Sequence, residues 1–343
     1  MTLRRGAATR TIRSSLVIFL LVCVAVVTAA ATPSRAASAV RVLTFSYHSS
    51  VGPVRTAYLV LPSWYGPLRH PPIPLVISPH GRGVSGSYNL RFWGDLPARG
   101  PFALISPDGQ GRRLPFYSWG YPGQIDDLAR MPASARTVFP WLTIDPARVY
   151  AIGDSMGGQE VLLLAARQNV RLAGVVAFDP VTDMALRYRR WFVTPGERAL
   201  PARARIEFGG TPAQLPHAYA ARSPRFFVRA IARSSVPLQL WWCHRDSVVT
   251  DQAAETAVFY RRLVAISPAA PVQQIVGYWE HAHEMHQETQ LPAALACFGL
   301  VDPAGIEVPA HTSTPNGSVE ELPPEQGRSP VPFARAFCGR AAG

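Results

Sequence analysis

Two apolar patterns follow one another along the chain. The first is an incomplete alternation of apolar and polar residues, over Val40-Arg-Val-Leu-Thr-Phe-Ser-Tyr-His48 and again over Val54-Arg-Thr-Ala-Tyr-Leu-Val-Leu61, with Gly52-Pro53 between them. A period of two turns one strand face to a core and the other to solvent, so this stretch predicts an antiparallel pair. The second pattern is continuous: residues 73–77, 102–105, 149–152, 172–178, 238–242 and 273–278 are nearly unbroken apolar runs. Strands buried on both faces read this way. Helical stretches at 124–141, 158–168, 253–265 and 292–298 separate most of these runs. β and α alternating at this spacing predict an α/β domain, a mostly parallel sheet with helices on both faces.

Two regions fall outside that alternation. Residues 181–236 are too many for a simple crossover and are rich in arginine and aromatic residues, such as Arg187-Tyr-Arg-Arg-Trp-Phe192. The segment starts after one strand and ends before the next, as a cap insertion does; a helix and loop packed on the sheet edge is the other reading. Residues 302–343 turn polar and proline-rich and predict a tail without a core of its own. That leaves 37–301 as the main domain.

The amino terminus adds an address. Arginines precede an apolar run over 16–31, and a small-residue stretch follows, the order expected of a secretory signal over residues 1–36. The run is shorter than the roughly 20 residues a spanning helix needs, so an uncleaved anchor is the weaker reading. The formal net charge is +12, carried by 34 arginines with no lysine. Removing 1–36, which holds five arginines and no acid, leaves +7 spread along the chain. Such a surface favours weak association with anionic surfaces, while no nucleic-acid reading motif accompanies it. Export implies an oxidising compartment, in which Cys297–Cys338 is the expected disulfide and Cys243, at the end of an apolar run, a small buried residue.

Chemistry centres on Arg148-Val-Tyr-Ala-Ile-Gly-Asp-Ser-Met-Gly-Gly-Gln-Glu160. Gly-x-Ser-x-Gly between a predicted strand and helix is a turn that lifts a serine hydroxyl above a sheet, here Ser155. A serine needs a base to take its proton and a third group to orient that base. Further along, Leu238-Gln-Leu-Trp-Trp-Cys-His-Arg-Asp246 leads from a strand into a carboxylate, with Asp179 after the preceding strand as its rival. Asp154 adjoins the nucleophile too closely to orient the base. The last strand leads into His281, with His283 as the alternative base. His281-Ala-His-Glu-Met-His286 lacks the His-Glu-x-x-His spacing, so no metal or other cofactor is expected. Negative charge on a substrate carbonyl would be met by the backbone amides of Met156, next to the nucleophile, and Arg82, in Ser78-Pro-His-Gly-Arg-Gly-Val84. His80 then shapes that loop. Phe116-Tyr-Ser-Trp-Gly-Tyr121 could face an acyl group or simply pack on the sheet.

His80-Gly81, Ser106-Pro-Asp-Gly109, Ile144-Asp-Pro-Ala-Arg-Val-Tyr-Ala-Ile-Gly-Asp-Ser-Met-Gly-Gly158, Ala221-Arg-Ser-Pro224 and Asp246-Ser-Val-Val249 carry a resemblance over roughly residues 40–300. The chain resembles secreted α/β-hydrolases of the polyhydroxybutyrate-depolymerase and feruloyl-esterase type, and the catalytic domain of prolyl oligopeptidases. The resemblance implies Ser155 as nucleophile, Asp246 as orienting acid and His281 as base. Glu280 departs from it, since such proteins usually have a glycine before the histidine. No propeller domain accompanies the catalytic region, which favours an esterase acting on a small-molecule or polymeric ester. A peptidase, and a binding protein on a hydrolase fold, are the alternatives.

Overall fold

The structure, a computed structural model, describes residues 39–313, 319–323 and 329–338. The expected signal segment, 1–36, lies outside them. Among the described residues, no helix is long and apolar enough to cross a membrane.

Strands β1 (Val40–His48) and β2 (Val54–Pro62) form the expected antiparallel pair, in register from Val40 opposite Pro62 to His48 opposite Val54. The apolar runs become β3 (Ile73–Ile77), β4 (Ala103–Pro107), β5 (Ile144–Asp154), β6 (Gly174–Phe178), β7 (Leu238–Cys243) and β8 (Val272–Gly277). Beyond them lie β9 (Glu307–Val308), β10 (His311–Ser313), β11 (Val319–Glu321) and β12 (Val331–Pro332). One sheet runs in the order β1-β2-β4-β3-β5-β6-β7-β8-β11-β10. Its centre, from β4 to β11, is parallel throughout.

The helices are α1 (Gly86–Trp93), α2 (Leu96–Arg99), α3 (Pro122–Val138), α4 (Ser155–Arg167), α5 (Met184–Arg190), α6 (Leu200–Phe208), α7 (Pro216–Ala220), α8 (Val228–Ser234), α9 (Thr256–Ile266) and α10 (Leu291–Ala296). Continuous apolar runs were needed because both sheet faces are covered. Leu75 and Ile77 of β3 enter a core with α3, α4, α8 and α9, whereas Val76 between them enters a second core with α1, α2 and α10. The pair α1–α2, between β3 and β4, had no clear sequence signal; Ser85 starts α1 by accepting from the Tyr88 N–H.

Between β6 and β7 the chain builds α5, α6 and α7 around a third apolar cluster. Met184, Tyr188, Trp191, Phe208 and Tyr219 pack there on Trp119, Met156 and Val249, apart from both sheet cores. Two buried ion pairs secure this segment. Arg222 meets Glu207 at 2.9 Å, and Glu207 also accepts from the backbone N–H groups of Arg112, Arg113 and Leu114. Arg187 lies 3.7 Å from Glu255, just before α9. By contrast, α8 at the end of the segment packs Val228 and Ile231 into the sheet core.

The carboxyl-terminal region is tied into the domain more closely than a plain tail. β11 pairs in parallel with β8, Phe337 is buried in the second core, and Cys338 is joined to Cys297. A proline-rich composition conceals this because short edge strands rely on the sheet beside them for their partners.

Candidate active site

Ser155 stands where β5 meets α4, with φ +53°. A non-glycine residue in the left-handed region carries strain of roughly 1–2 kcal/mol, held here by a tight turn. Its glycines explain the tightness. A Cβ on Gly153 would lie 2.7 Å from the Gly157 carbonyl carbon, and one on Gly157 only 2.3 Å from Pro79 O. Gly157 thus lets the loop after β3 lie directly on the elbow.

That loop is shaped by His80, which is buried with Nδ1 2.6 Å from Gly81 O and Nε2 accepting from the Gly109 N–H at 2.8 Å. An Nε2 that accepts makes the ring a neutral Nδ1–H tautomer. Burial also lowers its pKa. His80 therefore braces the loop and has no free nitrogen for chemistry. Arg82 follows; its side chain reaches Glu197 at 2.9 Å, and no acceptor for its backbone N–H is found among the described residues. Met156, second residue of α4, has an N–H without a partner inside the helix. Arg82, Met156 and Ser155 line a narrow recess with Trp119, Trp191 and Val181.

The rival acids and bases separate by geometry. His281 Nδ1 is 2.9 Å from Asp246 Oδ2 and 3.8 Å from Asp179 Oδ2. Asp246 sits three residues past β7. Its Oδ1 accepts from the Val248 and Val249 N–H groups, at 2.9 and 2.7 Å, and its Oδ2 from Gln252 Nε2 at 3.1 Å. Burial raises its pKa, but the hydrogen bond from His281 and that residue's charge outweigh burial, and the net shift is downward. An ionised Asp246 can only accept, so His281 carries its proton on Nδ1 and leaves Nε2 as the nitrogen able to take up a proton.

Burial alone would lower the His281 pKa. The hydrogen bond and charge of Asp246, backed by Asp179 and Asp154, outweigh it and raise the value above 6.5. His281 and Ser155 line one cavity of about 320 Å³ with Asp154, Tyr88, Phe92 and His286. His283 turns instead to a separate cavity, with Tyr278, Trp279 and Glu288. Asp154 does join the first cavity; burial raises its pKa to about 6. Asp179 is fully buried behind the histidine, accepting from the N–H groups of Cys243 and Ala282, both at 2.9 Å.

Asp179, Cys243 and Asp246 bring three donor atoms within 4.8 Å of one another. Their carboxylate oxygens already accept N–H groups, and burial pushes the Cys243 thiol up, away from the thiolate a metal needs. The set does not fit a cation.

Aromatic residues of the 116–121 loop divide their roles. Trp119 walls the recess beside Ser155, whereas Phe116 lies under the Arg55 guanidinium and Tyr117 under that of Arg203. Glu207 and Glu255 are buried acids that no motif announced, while Arg222 and Glu284 lie in the 221–224 and 281–286 segments without a role assigned to them there. Only the scarcity of acids in the chain, 22 against 34 basic residues, sets Glu207 and Glu255 apart in the sequence.

No protein-family model and no curated relative matches the chain. Solved structures do. A ferulic acid esterase aligns with a TM-score of 0.56 at 16% identity, over 76% of this chain and 97% of the esterase. The fluorophosphonate-binding serine hydrolase FphF of Staphylococcus aureus aligns at 0.55 and 14% identity, over 77% of this chain and 99% of FphF. The acylaminoacyl peptidase of Pyrococcus horikoshii aligns at 0.54 and 13% identity over 73% of this chain, which spans only 39% of the peptidase. Identities this low speak for fold alone. The chain has the α/β-hydrolase fold that its sequence resemblance implied, a fold shared with an esterase along its length and with part of a larger peptidase.

Proposed function

We propose that the protein is an exported serine hydrolase that cleaves carboxylic esters. The reading is carried by one observation: His281, held through Nδ1 by an ionised Asp246, shares a cavity with Ser155 on a strained strand-to-helix turn. In the first step, His281 Nε2 takes the Ser155 proton as Oγ attacks the ester carbonyl. The amides of Met156 and Arg82 receive the oxyanion, the alcohol leaves with the proton from His281, and an acyl-enzyme remains. Water then attacks with the same histidine as base, releasing the acid and restoring Ser155.

An ester is favoured over a peptide by the resemblance of the 144–158 segment to feruloyl esterases, and a ferulic acid esterase shares the fold over 97% of its length. Parallel assays on nitrophenyl esters and aminoacyl amides separate the two, and faster amide turnover overturns the ester reading. A fluorophosphonate probe tests the chemistry itself. Wild-type protein should label and Ser155→Ala should not; equal labelling of both overturns the role of Ser155, and no labelling of wild-type protein favours a binding protein on a hydrolase fold. Export is supported by the Cys297–Cys338 bridge and the apolar leader, and fractionation of the producing cells tests it.

A further inference from the structure

Behind His281 lies an acid that the hydrolase reading does not use. Glu284 is fully buried, and neither of its carboxyl oxygens has an N–H or O–H donor. What it faces, within hydrogen-bonding reach, is the carboxyl of Asp179. Two carboxylates in that position would repel without solvent to screen them, so one proton must lie between them. Burial and the Asp246 charge raise the Asp179 pKa as well, to about 7, but Asp179 accepts the Cys243 and Ala282 N–H groups, which favours its ionised form and leaves the proton on Glu284. Burial and the Asp179 charge both push the Glu284 pKa well above the usual carboxylate range.

The chain trace ties this pair to the base. Ala282, whose N–H is held by Asp179, follows His281 and is itself strained at φ +57°. Asp179 is strained too, at φ +39°. We infer that Glu284 is a neutral acid that donates its O–H to Asp179, and that this carboxyl–carboxylate pair is a positioning device for the His281 loop. The inference rests on the hydrolase reading for its consequence in catalysis, though not for the proton itself. Other titratable groups face the pair. Cys243 contributes its Sγ, 3.6 Å from Asp179, and Asp246 and His281 lie on the Ser155 side. On the far side, Glu284 borders a cavity with Arg99, His283, Glu288, Glu307 and Glu321.

Raising the pH removes the shared proton to water and sets two negative charges against each other beneath Ala282. The Asp179–Ala282 bond then loosens and His281 loses its placement, so activity should show an alkaline limb. Glu284→Gln supplies a permanent N–H donor in place of the O–H. The kcat/KM profile of wild-type protein on a nitrophenyl ester should therefore fall at alkaline pH, while that of Glu284→Gln should not. Glu284→Ala, with no donor, should lose about tenfold in kcat with KM little changed, and Glu284→Gln should recover most of that loss. Superimposable profiles for wild-type and Glu284→Gln overturn the inference.

A second readout needs no turnover. The infrared difference between wild-type and Glu284→Gln at neutral pH should contain the carbonyl band of a protonated carboxylic acid. A difference spectrum without it overturns the neutral Glu284. Failure of the pair thus shows as a missing band, and failure of the hydrolase reading as absent turnover.

Discussion

Nδ1 of His281 lies 2.9 Å from Oδ2 of Asp246, across 35 residues of chain. The contact forms because β7 and β8 are adjacent and parallel, with Cys243 beside Gly277, so the segments beyond both strands emerge at the same sheet edge. It leaves His283, two residues further on, facing another cavity. His281→Ala should therefore lower kcat/KM on the order of 10³-fold or more. His283→Ala should stay within a few-fold of wild-type, and equal losses in both variants would remove the distinction.

The charge of Asp246 also sets a pH dependence. In the proposed mechanism His281 accepts a proton only when neutral, and its pKa is raised above 6.5. Activity should accordingly rise with pH through a midpoint above that value. Asp246→Asn removes both the charge and the acceptor that holds the Nδ1–H tautomer. A fall in kcat of about 10⁴-fold is expected, with the remaining activity titrating at lower pH. An unshifted acid limb in this variant would mean that another group governs it.

Stability should carry its own pH signature through Glu160. This residue is buried in α4, bonded to Ser118 and, at 3.5 Å, to Gln124. Burial raises its pKa from 4.5 to about 8. The folded state thus holds a proton that the unfolded chain releases. Its contribution is complete below pH 4.5 and is lost as pH rises through about 8. Glu160→Gln should flatten the decline of Tm over that interval, and parallel Tm curves would show that Glu160 ionises normally.

Cys297 and Cys338 close a loop with a sequence separation of 41. Cross-linking a loop of that length removes unfolded-state entropy worth about 4 kcal/mol at 25 °C. Cys338→Ser should lower unfolding stability by up to that amount, and reduction of the wild-type protein should reproduce the loss. Ester turnover by protein that remains folded should change little, since Phe337 and Cys338 pack in the second core and neither lines the Ser155 cavity.

Local chemistry made much of this molecule legible. Five apolar residues in a row at Ile73–Ile77 can only be satisfied by burial on both faces. Gly153 and Gly157 around Ser155 mark a turn too close-packed for side chains, and this is a property of the residues themselves. The order serine, acid, histidine along the chain follows from the same alternation. Tertiary structure decided the rest. Asp179 and Asp246 both follow strands, and His281 and His283 stand two residues apart, so only the adjacency of β7 and β8 chooses which acid meets which ring. Pairings such as Arg222 with Glu207 leave no periodic trace, because a buried charge is matched by whatever lies across the fold and not by its neighbours in sequence. The elbow that presents Ser155 is written in a few consecutive residues. The field around it, from Asp246 back to Glu284, exists only once separate strand ends have been brought to a common edge.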